Sequence, residues 1–304
     1  MERFKVVGVG YSCVDMICMV EDFPVEDSST HITSRVVQGG GAVATALVAA
    51  SRLGTKCAFI GNIGNDIMSD ETIRMFQSDG VCTDYMVRRD DCYGLESIVM
   101  VNPANGSRTK FPQRDYNPPI SWDDRLSDVV GGCCILHLDG THYENAINAA
   151  RIAKEHGVLV SLDGCSMQKD NEKNKILATM ADILIMNSKY PLKVSGKASY
   201  DEALLEMSTW GSKKVVGCTL GDKGSKFVVD GRVVDFPSFK AKSVVDTTGC
   251  GDVFHGAFLS AYVSGMALEK CIRFASATAC CKCAVPGGRA GIPNRDVVLG
   301  IIGE

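Results

Sequence analysis

The strongest constraint on this chain is a repeated alternation of short apolar runs with helical periodicity. Residues 5–9, 56–61, 133–139, 159–163, 183–187 and 214–220 are apolar runs that stop at or beside a Gly, Asp or Asn. Between them lie segments with apolar residues at helical spacing: the small-residue stretch that ends at Gly54, then 70–78, 143–155 and 201–210. Runs that are apolar on both faces and separated by helices predict a mostly parallel sheet covered by helices on both sides. In such sheets ligands bind beyond the carboxyl ends of the strands. Asp139, Asp163 and Asn187 each fall at such an end, and Asp139 is a candidate for substrate contact.

Two stretches break the rhythm. Residues 17–20 and 31–38 read as strands joined by an acidic loop, and 96–101 and 107–111 flank the turn-rich 102–106. The second pair predicts a hairpin. Together, segments of about 12–38 and 93–116 predict a small separate β-sheet that serves as a lid, useful where water must be kept from a reactive group. Its exposed edges would be covered if two chains paired their lids, which predicts a homodimer. Residues 226–229 and 232–236 form another expected hairpin across Asp230-Gly231. No repeat, low-complexity tract or linker divides the chain, so residues 1–304 are expected to form a single α/β domain.

The chemistry concentrates near the C-terminal end. The apolar run 243–245 leads into Asp246-Thr247-Thr248-Gly249-Cys250-Gly251-Asp252, after which Val253, Phe254, Ala257, Phe258 and Ala261 mark a helix. Unpartnered amides at a helix start, together with the helix dipole, favour an anion such as phosphate. Asp252 at the edge of that turn could take a proton from a hydroxyl. The plainer alternative is a capped helix start, with Asp246 or Thr248 satisfying the amides. Earlier, Gly39-Gly40-Gly41 feeds the small-residue helix and permits close approach of a ligand, or simply tight packing. Gly8-Val9-Gly10 resembles the start of a dinucleotide-binding turn, but Cys13 stands where the third glycine should be and strand follows, so nicotinamide or flavin binding is discounted. Asp15, just past that strand, is a candidate for bonding substrate hydroxyls or a turn residue.

Composition removes other classes. A net charge of −4 offers no basic footprint for nucleic acid. No apolar segment reaches the roughly 18 residues of a membrane span, and the N-terminus reads as a strand, not a signal. The 14 cysteines are scattered through apolar runs, as expected of free thiols in a reducing cytoplasm. Cys280-Cys281-Lys282-Cys283 has no second pair of ligands at zinc spacing.

These motifs, taken together, resemble the ribokinase-like (PfkB) carbohydrate kinases along nearly the whole chain. The resemblance is carried by Gly39-Gly40-Gly41 with its helix to Gly54, by Phe59-Ile60-Gly61-Asn62-Ile63-Gly64-Asn65-Asp66, and by Asp246 to Gly256. It implies a ribokinase-like α/β fold: a mostly parallel central sheet flanked by helices, with a small β-sheet lid. It implies transfer of the ATP γ-phosphate to a hydroxyl of a small sugar, with Mg²⁺. By the same resemblance Asp252 would be the general base, and Gly249, Cys250 and Gly251 the anion hole. Asp15, Gly40, Gly41 and Thr45 would meet the sugar, with Arg108 on the lid. Asn187, Thr219, Gly221 and Gly224 would serve the nucleotide. Asp246, Thr248, Val285, Gly287 and Gly291 match the place of a monovalent cation, K⁺. Tyr190 stands where the family places a Glu that organises Mg²⁺. The tail, Phe254-His255-Gly256 and residues 286–293, is similar to the sulfofructose kinase branch, although no Arg lies around Thr141-His142 where that branch binds sulfonate. The alternatives are a nucleoside kinase of the same family and a nucleotide- or sugar-binding regulator with weak catalysis.

Overall fold

The computed structural model describes residues 3–102, 108–241 and 243–303. The turn expected at 102–106, apart from Asn102, and the first residue of the strand expected at 107–111 lie outside them. The strands are β1 (Val6–Val9), β2 (Cys13–Val20), β3 (Ile32–Gly40), β4 (Cys57–Ile60), β5 (Asn62–Ile63), β6 (Val81–Cys82), β7 (Val87–Arg88), β8 (Glu96–Val101) and β9 (Arg108–Pro112). They continue with β10 (Ile135–Leu138), β11 (Leu159–Gly164), β12 (Ile183–Asn187), β13 (Val215–Thr219), β14 (Ser225–Val229) and β15 (Arg232–Phe236). The helices are α1 (Ala42–Arg52), α2 (Ile67–Ser78), α3 (Asp124–Gly132), α4 (Tyr143–Glu155), α5 (Asn171–Met180), α6 (Tyr190–Ser195), α7 (Tyr200–Met207), α8 (Cys250–Val263), α9 (Leu268–Lys282) and α10 (Arg295–Ile302).

The large sheet runs β15-β14-β13-β12-β11-β10-β1-β4-β6. It is parallel from β13 to β6, and the β14–β15 hairpin adds the antiparallel edge. Strand side chains alternate between faces. Val6, Phe59, Ile135, Ile183 and Val215 therefore pack on one side with α1, α8 and α9, and Val7, Ala58, Leu136, Leu184 and Val216 on the other with α3 to α7. A second sheet, β3-β2-β8-β9, stands apart. It contains both expected antiparallel pairs, joined by a parallel β2–β8 seam.

Several features differ from the sequence reading, the two-residue strands β5, β6 and β7 among them. The apolar run 243–245 does not enter a core: Val244 and Val245 are 66% and 56% exposed. Helices α3, α5, α6 and α10 escaped notice. The first buries little beyond Leu126, Val129 and Val130, so its periodicity is weak. Helix α6 carries Pro191 in its first turn, which reads as a break although proline fits there. Helix α2 starts at Ile67 rather than residue 70, because the Asp66 carboxylate caps the Ser69 amide.

Candidate active site

Helix α8 is buried nearly all round, from Val253 to Ala261, and lies against α1. Contact is close enough that a Cβ on Gly256 would sit 2.0 Å from the Ala46 carbonyl. That fit fixes the first turn of α8 relative to the glycines that precede α1. Gly249 adopts φ 74°, a left-handed conformation that suits glycine, and starts the helix without a side-chain cap. The Cys250 amide reaches the Thr247 carbonyl at 3.3 Å, whereas those of Gly249, Gly251 and Asp252 meet no acceptor among the described residues. Three amides thus open at one helix start, as an anion requires.

Four carboxylates come to this end of the sheet, and their surroundings separate them. Asp139 is fully buried and committed: Oδ2 accepts from the Tyr11 amide at 2.9 Å and from Val43 at 3.5 Å, and Oδ1 accepts from Thr141 at 2.9 Å. Asp163 is buried against His255, with Nε2 to Oδ1 at 3.2 Å, and is held below the usual carboxylate range: burial opposes this, and the imidazole outweighs it. Asp15 accepts a weak bond from the Cys13 thiol at 3.4 Å, and burial raises it. Asp252, on the first turn of α8, is partly exposed and has no hydrogen-bond partner among the described residues. Burial, then the charge of Asp163, push it up to about 7. A carboxylate near 7 that is free of donors is suited to take a proton at neutral pH.

Asp15 lies beside Gly40, where an added Cβ would be 2.3 Å from Oδ2. Gly41 caps α1 at φ 98°. Behind them is Arg289, 5% exposed, within the stretch 286–293. Its Nη2 donates to the Gly40 carbonyl at 3.1 Å, and Nε donates to the Thr45 hydroxyl at 3.3 Å. Thr45 is itself 2% exposed, so its hydroxyl serves Arg289. Burial lowers Arg289 to about 10, which leaves it charged at neutral pH, and its charge reaches both Asp15 and Asp252. Tyr11 borders Cys13 and Asp15 and tilts against His142, which pairs with Asp115. A cavity of about 250 Å³ opens on that side, lined by Gly10, Ser12, Asn62, Tyr93, Asn117 and His142 among others. Asp252 is not among its lining residues.

The remaining expected residues fall in two groups. Asn187 and Thr219 are register partners on β12 and β13. The Asn187 Oδ1 accepts from the amides of Lys189 and Tyr190, which starts α6. Gly221 and Gly224 bracket a single tight turn after β13. Tyr190 is 2% exposed, with its hydroxyl on the Asn174 carbonyl, so it points into the core. At the α8 turn, Asp246 Oδ1 accepts from the Thr248 amide and hydroxyl and from Arg108 at 2.6 Å, and Oδ2 accepts from Gly287. Burial would raise this carboxyl, but those donors hold it well below the usual range. Arg108 therefore ties β9 of the small sheet to the α8 turn. Val285 and Gly291 lie in the same loop, Gly291 close over the Lys282 carbonyl. The Lys282 ammonium donates to the Asp246 carbonyl at 2.8 Å. His137, buried on β10, is only half satisfied: Nδ1 meets Ser161, and Nε2 has no partner among the described residues. Burial and the neighbouring His255 lower it to about 3, so it is neutral.

The site thus joins a doubly covered α/β sheet, a helix start with open amides and a carboxylate without donors beside it. The family model described as pfkB family carbohydrate kinase matches residues 3–295, and the chain belongs to that family. The bifunctional ribokinase/ribose-5-phosphate isomerase A of Fructilactobacillus sanfranciscensis is 28% identical over 99% of this chain, which spans 56% of that relative's length. Ketohexokinase of Mus musculus is 24% identical, with 94% of this chain and 98% of the relative covered. The structure of Arabidopsis thaliana ribokinase complexed with ribose and ATP superimposes at a TM-score of 0.86, with 27% identity and 99% of each chain covered. The fold and the carbohydrate-kinase assignment expected from the sequence are thereby borne out.

Proposed function

We propose that this chain transfers the γ-phosphate of ATP to a primary hydroxyl of a small sugar, a ketose or pentose. The observation that carries this reading is Asp252: a carboxylate without donors, pushed up to about 7, one residue beyond the open amide of Gly251. In this reading Asp252 takes the hydroxyl proton as the new P–O bond forms. The amides of Gly249, Gly251 and Asp252, with Cys250 contributing weakly, receive the charge on the transferring phosphoryl oxygens. Asp15, Gly40 and Gly41 form the wall for sugar hydroxyls. Asp139 and Thr45 act behind that wall, through Tyr11, Val43 and Arg289. Asn187, Thr219, Gly221 and Gly224 hold the nucleotide beyond β12 and β13. The small sheet closes over the sugar as a lid and pairs with a second copy in a homodimer.

Mg²⁺ fits this arrangement as a hydrated ion. Tyr190 faces the core, and among the described residues no group of three metal-ligating side chains exists. An ion that keeps several waters and arrives on substrate phosphates needs no protein cage. When bound it would neutralise phosphate charge, and the chain's part is to orient the phosphates at the sheet edge. The test is ADP release with ATP and Mg²⁺ against a panel of pentoses, ketohexoses and nucleosides, beside Asp252→Asn. Turnover with a sugar that collapses in the variant is expected. Turnover confined to nucleosides, or a fully active variant, overturns the reading.

A further inference from the structure

Helix α9 has its buried face at Cys271, Phe274, Ala275 and Thr278, and at that spacing Lys282 falls on the same face. Its side chain does not escape to solvent: its exposure is 0%. Among the described residues the ammonium pairs with no carboxylate, and its hydrogen bond goes to the Asp246 backbone carbonyl at 2.8 Å. The Asp246 carboxylate is already occupied by Thr248, Gly287 and Arg108. The amides of Val245 and Asp246 return to the Cys283 carbonyl, Gly291 presses on the Lys282 carbonyl, and the Gly288 carbonyl lies against Gly249. A buried ammonium on the Asp246 carbonyl, behind the turn that begins α8, offers what a monovalent cation offers there: one positive charge, of similar radius, held by an oxygen dipole. Its charge is felt at Cys250, the first residue of α8.

We propose that Lys282 is a tethered replacement for the monovalent cation, so that the α8 turn keeps its shape and its positive backing without K⁺. This rests on the kinase reading for its effect on rate, but not for its effect on ion binding. Lys282 acts through Asp246 and the Thr248–Gly251 turn, so it is a positioning residue. Removing a buried charge leaves the Asp246 carbonyl without its donor, and misplacing the turn by about 1 Å is expected to cost about 10²-fold in rate.

Two measurements are made on the full chain in KCl, NaCl and choline chloride at equal ionic strength: ADP-release rates and thermal melting. They are applied to wild type and Lys282→Met. Wild type is expected to give the same rate within about two-fold, and the same melting temperature, in all three salts. Lys282→Met is expected to lose rate in choline and to regain rate and melting temperature selectively in KCl. Wild type stimulated several-fold by K⁺ overturns the proposal even if the variant fails to fold, as does a variant indifferent to the ion. If no acceptor turns over at all, but K⁺ raises the melting temperature of the variant and not of wild type, the kinase reading falls and the tethered cation stands.

Discussion

Replacing Asp252 by Asn should slow the enzyme and stabilise the protein, and the two effects share one cause. The carboxyl is pushed from its ordinary 3.8 to about 7 by burial and by Asp163. Each pKa unit corresponds to 1.36 kcal/mol, so ionising Asp252 in the folded chain costs at most about 4 kcal/mol relative to the unfolded chain. The direction in pH follows. Below about pH 4 both states hold the proton, and the residue contributes no penalty. Between about 4 and 7 the unfolded chain loses its proton while the folded chain keeps it, so wild-type stability falls as pH rises. Above about 7 the full penalty is present. Asp252 has no hydrogen-bond partner among the described residues to lose, so the Asn variant should melt on the order of 5 °C higher than wild type at about pH 8, with the gap closing toward pH 4. Its rate should fall about 10²–10⁴-fold. In wild type, kcat/KM should rise through about pH 7 as the base ionises and then level off. Differential scanning fluorimetry and an ADP-release assay across that range decide it. A variant that melts below wild type at the alkaline end, or a flat wild-type profile between about pH 6 and 8, refutes the assignment of Asp252 as a strained base.

Gly40→Ala places a Cβ 2.3 Å from Asp15 Oδ2, and should lower kcat/KM for the sugar about 10–10²-fold with the fold intact by circular dichroism; an unchanged KM would remove Asp15 from the acceptor wall. Val37, Met16, Ile98 and Phe111 are cross-strand neighbours that form one apolar row across the small sheet, with Val37, Ile98 and Phe111 exposed. Light scattering should therefore give a dimer for wild type and a monomer for Ile98→Lys, and a monomeric wild type at micromolar concentration sinks the lid-mediated dimer. Arg108→Ala breaks a half-exposed tie to Asp246, so stability should change by less than about 1 kcal/mol. Its sugar KM should rise a few-fold and should vary less with salt than the wild-type KM; equal salt dependence in both would mean the tie does not hold the lid.

What the sequence disclosed and what it hid follow a physical division. Most strands of the large sheet are legible because each is a short apolar run bounded by a turn residue, and residues 183–187 and 143–155 are read with the observed boundaries, whereas the two-residue β6 is too short to leave a pattern. The α8 turn was legible because glycine spacing and a helix start are local. Pairings between distant residues were not. Arg289 meets Gly40 and Thr45 across some 240 residues, and nothing near Gly288-Arg289 announces that partner. The same holds for Asp163 with His255 and for Arg108 with Asp246. Lys282 did leave a trace: it is a charge on the apolar stripe of α9. Its neighbours Cys280, Cys281 and Cys283 drew attention toward metal binding instead, and they are free thiols.

The two buried cations share a property that bears on how an anionic substrate could be managed by a chain of net negative charge. Arg289 and Lys282 are both nearly inaccessible, and their hydrogen bonds go to backbone carbonyls and a hydroxyl rather than to carboxylates. A carboxylate partner would cancel most of each charge locally; a carbonyl dipole solvates the cation and leaves its field standing. That field is felt at Asp15 and Asp252 from Arg289, and at Cys250 from Lys282. Asp163 works against it by raising Asp252, and His255 offsets part of that. In the proposed reading, Asp252 is therefore suspended between opposing buried charges, close enough to 7 to be ionised when the hydroxyl arrives. A surface rich in lysine could not do this, because solvent and salt would screen it within about 10 Å. Burial without ion pairing lets two residues supply the positive field that the overall composition lacks.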